Sequence, residues 1–222
     1  MSDAIYFLPD GYTPNLRPAY YVDEGDDLWQ EAVYQYAAAL ASRLRVPHCV
    51  DLGCGRGGKT ARYLVAHNRK AAIGVDHGQN YQLALWARPI TIGTAVPQAL
   101  LQFVDHDLNS DAWLPVNTDN ALIVCADVLE HLETPEILLE RIAQTTANAV
   151  VFSTPDRALL YDAGHLGPPG NPAHVREWAA DEFKAFVIRW FGKGWAPEAS
   201  MHVLERPDSA REVTYLLSLV RA

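Results

Sequence analysis

Short apolar runs alternate with stretches of helical spacing through the central part of the chain. The apolar runs are His48–Gly53, Ala71–Asp76, Leu100–Asp105, Ala121–Ala126 and Ala149–Ser153. The spacing between them predicts helices at Lys59–His67, Asn80–Arg88 and Pro135–Thr145. Strands that alternate with helices at this rhythm usually pair in parallel. The pattern therefore predicts an α/β domain with a parallel sheet and helices on both of its faces.

The rhythm changes towards the amino terminus. Residues Pro9–Tyr21 are rich in Pro, Gly, Tyr and Asn, which predicts an ordered arm or loop rather than a helix. We place this arm at residues 1–25 and a single domain at residues 26–222. The first helix of the domain is predicted from apolar residues at helical spacing: Val33, Ala37, Leu40 and Leu44.

The rhythm changes again after the fifth apolar run. Pro155–Pro172 is long and rich in Gly and Pro, which is typical of a lid or binding loop. A helix is predicted next from an apolar stripe at Phe183, Phe186, Val187, Trp190 and Phe191. Two strand-like runs, Met201–Leu204 and Val213–Val220, then flank the polar stretch Glu205–Glu212. The sheet is therefore expected to have seven strands, mostly parallel, with an antiparallel hairpin at the carboxyl end.

Composition narrows the class of protein and of partner. The 222 residues fit one domain, and 18 Lys and Arg against 27 Asp and Glu give a net charge of −9. Such an acidic chain is not expected to bind nucleic acid or anionic lipid. There is no apolar run of the ~20 residues that a membrane span needs, and the first residues do not resemble a signal peptide. With three cysteines in no recognisable framework, we predict a cytoplasmic protein.

A glycine-rich loop lies between the first strand and its helix, and three cofactor classes fit it. Gly53, Gly55 and Gly58 satisfy the dinucleotide pattern G-x-G-x-x-G. The segment Gly53–Thr60 also satisfies the P-loop pattern, for which Asp127 would be the second acid. The third class is S-adenosylmethionine (SAM).

Electrostatics separates the three classes. Asp51 comes two residues before the first glycine, where a phosphate ligand would be repelled by ~4 kcal/mol per charge pair at ~4 Å. Further carboxylates follow the later strands at Asp76, Asp107 and Asp127. This acidic edge favours SAM, which carries an ammonium and a sulfonium. A nucleotide hydrolase or kinase using the P-loop match, and a SAM-binding module without catalysis, remain the alternatives.

At this point the chain resembles the class I SAM-dependent methyltransferases, of the type that acts on small molecules, glycans or natural products. The matching segments are Val50–Gly58, Ile73–His77, Asp107–Leu108, Leu122–Leu132, Ser153–Pro155, Gly167–Trp178 and Asp181–Phe183. The resemblance implies a Rossmann-like fold, SAM as cofactor and methyl transfer to an acceptor.

The resemblance also implies roles for individual residues around SAM. Asp51, Gly53 and Gly55 would hold the methionine part, and Asp76 the ribose hydroxyls with His77 beside it. Asp107 would accept from the adenine amino group and Leu108 would contact the ring. Trp29, Gln30 and Tyr34 lie in the region that often covers SAM in this family, although helix packing explains Trp29 and Tyr34 equally well.

The acceptor is expected to be a hydroxyl of a small molecule or saccharide. An oxygen nucleophile of high pKa needs a base, and the candidate bases are His131, His165 and His174, with His131 preferred because it follows a strand end. The loop after the fifth strand is expected to form the acceptor side of the site. Its proposed contacts are Tyr161, Asp162, His165, His174 and Arg176.

The sequence also contains candidate ligands for a metal ion. Asp127, Glu130 and His131 fall within about one helical turn and offer ligands that Mg²⁺ accepts. This run resembles the metal-binding run of ubiquinone-biosynthetic O-methyltransferases. However, Asp127 replaces the first Glu of that run and no further His follows nearby. We therefore predict no metal.

Overall fold

One seven-stranded sheet organises the computed structural model, which describes residues 6–23, 29–92, 98–162, 164–203 and 213–222. The strands are β1 His48–Leu52, β2 Ala71–Asp76, β3 Leu101–Asp105, β4 Leu122–Ala126, β5 Ala149–Pro155, β6 Trp195–Val203 and β7 Thr214–Arg221. Their order is β3-β2-β1-β4-β5-β7-β6. The pairs among β1 to β5 are parallel, whereas β7 is antiparallel to both β5 and β6. The predicted fold is confirmed.

Helices cover both faces of this sheet. They are α1 Glu31–Arg43, α2 Gly78–Ile92, α3 Pro135–Gln144, α4 Arg157–Leu160 and α5 Ala180–Ile188, with a π-helix at Thr60–His67. Successive strand residues point to opposite faces, so Leu122 packs with α1 and the π-helix, while Ile123 packs with α3 and α5. No described helix is long and apolar enough to cross a membrane.

Element boundaries differ from the sequence prediction mainly near the carboxyl end. The predicted strand Met201–Leu204 is the end of a longer edge strand, β6, which pairs with β7 from Trp195 onwards. Leu204 and the polar stretch Glu205–Glu212 lie outside the described residues.

The amino-terminal arm packs against the loop that follows β5. The Trp178 indole N–H donates to the Tyr6 carbonyl at 2.9 Å, and the Tyr12 hydroxyl accepts from the Glu177 N–H at 2.8 Å. Backbone hydrogen bonds continue the contact as far as Ala19, whose N–H donates to the Pro172 carbonyl. Arm and loop therefore form one layer over the carboxyl ends of the strands. The predicted boundary between residues 25 and 26 lies outside the described residues.

Candidate functional site

A cavity of about 870 Å³ opens where the chain leaves β1 and β4 in opposite directions along the sheet. Open parallel sheets bind ligands at such a switch point. The walls come from the glycine-rich loop, the residues after β2, β3 and β4, the arm at Pro18–Asp23, and the segment Asn171–His174. Its volume lies in the upper part of the ~300–1,000 Å³ range of ligand pockets.

The glycine-rich loop approaches its neighbours too closely for side chains. Gly53 has φ +72°, and a Cβ there would lie 2.4 Å from a methyl of Val128. Gly55 has φ +56°, and a Cβ there would lie 2.4 Å from the Asp23 carboxylate. Both glycines line the cavity, so the loop presents bare backbone to a ligand.

Asp51 lies behind the glycine-rich loop and does not line the cavity. Its carboxylate is fully buried and accepts hydrogen bonds from the hydroxyls of Tyr34 and Thr60. This geometry therefore does not place Asp51 in direct contact with the methionine part of SAM. Asp51 instead stabilises the glycine-rich loop from the side away from the cavity. The same bond occupies Thr60, whose hydroxyl a P-loop would need for Mg²⁺.

We expect Asp51→Asn to remove part of the pH dependence of stability. Burial raises the pKa of Asp51 to about 7, although the Thr60 and Tyr34 hydrogen bonds oppose the rise. An unfolded Asp has a pKa of about 3.9, so between about pH 4 and 7 the folded chain keeps a proton that the unfolded chain has released. The free energy of unfolding should then fall as pH rises, by up to ~1.4 kcal/mol per pH unit.

Urea unfolding of the ligand-free protein at pH 5, 6, 7 and 8 measures this slope. The Asn variant should lose less stability than the wild type between pH 5 and 7. Equal slopes in the two proteins would show that Asp51 is ionised in the folded state throughout this range.

The carboxylates at the next strand ends line the cavity. Asp76 ends β2 and accepts N–H bonds from Gly55 and His77, both at 2.8 Å. Burial raises the pKa of Asp76, and these backbone bonds oppose the rise. His77, Asp107 and Leu108 also line the cavity, and their contacts with ribose and adenine stay predictions.

One carboxylate of the arm lies at the cavity although no sequence pattern predicts it. Asp23 lines the cavity and accepts the Arg56 N–H at 2.9 Å, above the glycine-rich loop. No local motif marks it, because the arm reaches the loop only through the tertiary fold. The lining then holds the carboxylates of Asp23, Asp76, Asp107, Asp127 and Glu133. Lys59 is the one Lys or Arg among the described lining residues, so the wall favours a cationic ligand.

The three predicted residues at the start of α1 lie in different environments. Trp29 lines the cavity with 43% of its surface exposed, whereas Tyr34 is buried against Asp51. Gln30 also lines the cavity and donates to the Asp127 carboxylate at 2.8 Å. Trp29 and Gln30 therefore lie where a cofactor could contact them, and Tyr34 does not.

Two imidazoles lie at the end of the cavity beyond β4. The rings of His131 and His174 meet nearly at right angles with their centroids 4.7 Å apart, and both line the cavity. The Val175 N–H donates to the Glu130 carbonyl at 2.7 Å, which holds the loop beside the β4 end. Tyr21 of the arm contacts the His131 ring. Burial lowers the pKa of His131 to about 3, so this imidazole is neutral at physiological pH.

Other loop residues predicted to meet the acceptor do not line the cavity. The Arg176 guanidinium donates to the carbonyls of Leu132 and Glu133, and lies 4.2 Å from the Tyr6 ring centroid. It therefore cannot hold an acceptor carboxylate or phosphate without breaking these contacts. Three further side chains lie outside the lining: Tyr161, Asp162 and His165.

Local packing within the loop keeps three of these side chains out of the cavity lining: Tyr161, Asp162 and His165. The Tyr161 hydroxyl accepts the Gly170 N–H, and its ring lies against the His165 ring with the centroids 4.2 Å apart. The Asp162 carboxylate accepts the Gly164 N–H at 2.8 Å. These side chains stabilise turns within the loop. Among the loop residues predicted to contact the acceptor, His174 is the one that lines the cavity.

The family model for a methyltransferase domain matches residues 26–204. No curated protein matches the chain in sequence. Among solved structures, the methyltransferase domain of a bacterial Hen1 is 18% identical, with a TM-score of 0.68 over 88% of this chain and 99% of that one.

Two further solved structures share the fold. Magnesium protoporphyrin IX methyltransferase from Synechocystis PCC 6803, with bound S-adenosylhomocysteine (SAH), is 17% identical, covering 92% of this chain and 90% of that one at a TM-score of 0.62. The 1,6-didemethyltoxoflavin-N1-methyltransferase of Burkholderia thailandensis is 20% identical, covering 90% and 83% at a TM-score of 0.62.

Proposed function

The chain belongs to the class I SAM-dependent methyltransferases, and from that premise we propose that it methylates a hydroxyl group of a small molecule or saccharide. SAM is its cofactor, and methyl transfer is a direct displacement in which most of the catalysis comes from alignment. The fold alone does not choose the acceptor, because structures that share it are named for acceptors as different as small RNA and 1,6-didemethyltoxoflavin.

For the cofactor half of the site, we propose that SAM lies along the ends of β1 to β3. Asp76 takes the ribose hydroxyls beside His77, and Asp107 and Leu108 take the adenine. Gly53 and Gly55 lie against the methionine part, which Asp23 attracts through its charge. Trp29 and Gln30 cover the cofactor from the α1 side. The acidic lining, in which Lys59 is the one Lys or Arg among the described residues, supports this placement of a cationic cofactor.

For the acceptor half, one observation supports a hydroxyl group: neutral imidazole at the far end of the cavity. The Nδ1–H of His131 donates to the Ala173 carbonyl at 3.0 Å, which leaves Nε2 to accept a hydrogen bond. We propose that the acceptor hydroxyl donates to this end of the cavity. The acidic wall and the roof formed by arm and loop disfavour a long polyanion such as RNA.

An SAH-release assay across sugars, phenols, polyketide alcohols, matched amines and a short RNA tests this proposal. We expect turnover with at least one alcohol and none with the amine that replaces it, with the methyl group found on oxygen by mass spectrometry. Turnover only on the RNA, or methylation on nitrogen, would contradict it. SAH binding without turnover on any probe would indicate a binding module.

A further inference from the structure

We propose that Glu130, His131 and His174 form a binding site for a divalent transition metal ion such as Zn²⁺ at the acceptor end of the cavity. Each residue offers one ligand atom, and these three atoms lie within 4.8 Å of one another. The proposal that the metal binds here rests on this geometry alone. Its use in catalysis rests on the proposed function.

Glu130 is the first observation that points to a cation. The residue is 0% exposed, and among the described residues neither carboxylate oxygen has a well-formed hydrogen bond. The Thr154 hydroxyl lies near enough to interact, yet it too lacks a bond of normal geometry. A buried carboxylate is normally paired, hydrogen-bonded or coordinated to a metal, because its burial otherwise costs several kcal/mol. A cation bound between Glu130 and the two imidazoles supplies that partner.

The outer hydrogen bonds of the two histidines are the second observation. The His131 Nδ1–H donates to the Ala173 carbonyl at 3.0 Å, and the His174 Nδ1 lies 2.6 Å from the buried Glu177 carboxylate. Metal-binding histidines typically donate one ring N–H to a carbonyl or carboxylate, which fixes the other nitrogen as the ligand. Both rings therefore offer Nε2. The His174 Nε2 now lies 3.0 Å from the Asn171 amide nitrogen, which the metal would displace.

The donor set decides the class of metal. Two imidazoles and one carboxylate suit Zn²⁺ and its first-row neighbours, whereas Mg²⁺ prefers oxygen ligands and water. Bonds of ~2.1 Å allow two ligand atoms to be at most ~4.2 Å apart, so the side chains must close in slightly. This set differs from the run that the sequence suggests, because the Asp127 carboxylate already accepts from Ser153 and Gln30.

Three protein ligands leave coordination positions open. Both histidines line the cavity, so a metal held between them would be accessible from it. With the metal bound, the acceptor hydroxyl would coordinate the metal instead of donating to the His131 Nε2, and it would lose its proton to solvent more readily, since a metal ion stabilises the alkoxide. The bond from this oxygen to the methyl carbon would then form as the bond from that carbon to the SAM sulfur breaks, and SAH would leave. The site would thus activate the acceptor hydroxyl for methyl transfer.

Calorimetric titration of the chelator-treated full chain with ZnCl₂ or MgCl₂ alone tests the site. We expect about one equivalent of Zn²⁺, with Mg²⁺ binding far more weakly. Glu130→Gln and His174→Ala should each weaken Zn²⁺ binding at least ~10-fold, and Glu177→Gln should weaken it ~10–100-fold through the His174 ring. His165→Ala, in the same loop but outside the cluster, should bind Zn²⁺ as the wild type does.

SAH binding measured on the same preparations separates the two proposals. Variants that still bind SAH but bind Zn²⁺ with unchanged affinity would overturn the metal site and leave the proposed function intact. So would a wild type that binds SAH but no stoichiometric Zn²⁺. If His174→Ala fails to fold, Glu130→Gln, which keeps the side-chain volume, decides the question.

Discussion

Asp76→Ala is expected to weaken SAH binding at least ~100-fold. We propose that the carboxylate at the end of β2 accepts two ribose hydroxyls, and hydrogen bonds to a charged acceptor contribute ~1.5–3 kcal/mol each. The same carboxylate accepts the N–H groups of Gly55 and His77 at 2.8 Å. Its removal therefore also releases the glycine-rich loop, and the two effects act in the same direction.

Asp105→Ala is the matched control for this experiment. Asp105 pairs with Asp76 in the register of β2 and β3 and ends its strand in the same way. It is exposed and lies outside the cavity lining. Calorimetric titration with SAH should therefore give near wild-type affinity for Asp105→Ala. Wild-type affinity in Asp76→Ala would remove Asp76 from the cofactor site.

Gly53→Ala is expected to destabilise the fold by ~2–5 kcal/mol. The positive φ of +72° costs a residue with a Cβ ~1–2 kcal/mol. The new methyl would also lie 2.4 Å from a Val128 methyl, and overpacking of this kind costs ~1–3 kcal/mol. Val128 is 6% exposed, so it has little room to move away.

Denaturant unfolding of Gly53→Ala beside Gly192→Ala measures this effect. A Cβ at Gly192 meets no atom within 4 Å, so that variant should stay within ~0.5 kcal/mol of the wild type. Adding Val128→Ala to Gly53→Ala should restore part of the loss, because the two changes share one contact. A Gly53→Ala protein as stable as the wild type would show that the loop tolerates a side chain.

The strand–helix alternation was readable from the sequence because it is local. β1, β2 and β4 begin and end within about one residue of their predicted positions, since each is a short buried run between polar segments. β6 was predicted too short. It is an edge strand with many exposed residues, so its length depends on pairing with β7 and not on its own pattern.

The sequence also determined which residues could meet at the cavity. Parallel strands bring their carboxyl ends to one edge, so Asp76, Asp107 and His131 had to lie near one another. The direction in which each side chain points depends on packing in the tertiary structure. Packing turns Asp51 to Tyr34 and Thr60, and Arg176 to backbone carbonyls.

The candidate metal ligands show most clearly what the sequence pattern determines and what depends on the tertiary structure. The sequence offered no further histidine near His131 and therefore predicted no metal. The fold places His174 beside it, through a hydrogen bond from the Val175 N–H to the Glu130 carbonyl. No periodicity or spacing encodes such a contact, because it joins segments that are far apart in sequence and depends on how the loop after β5 packs under the arm.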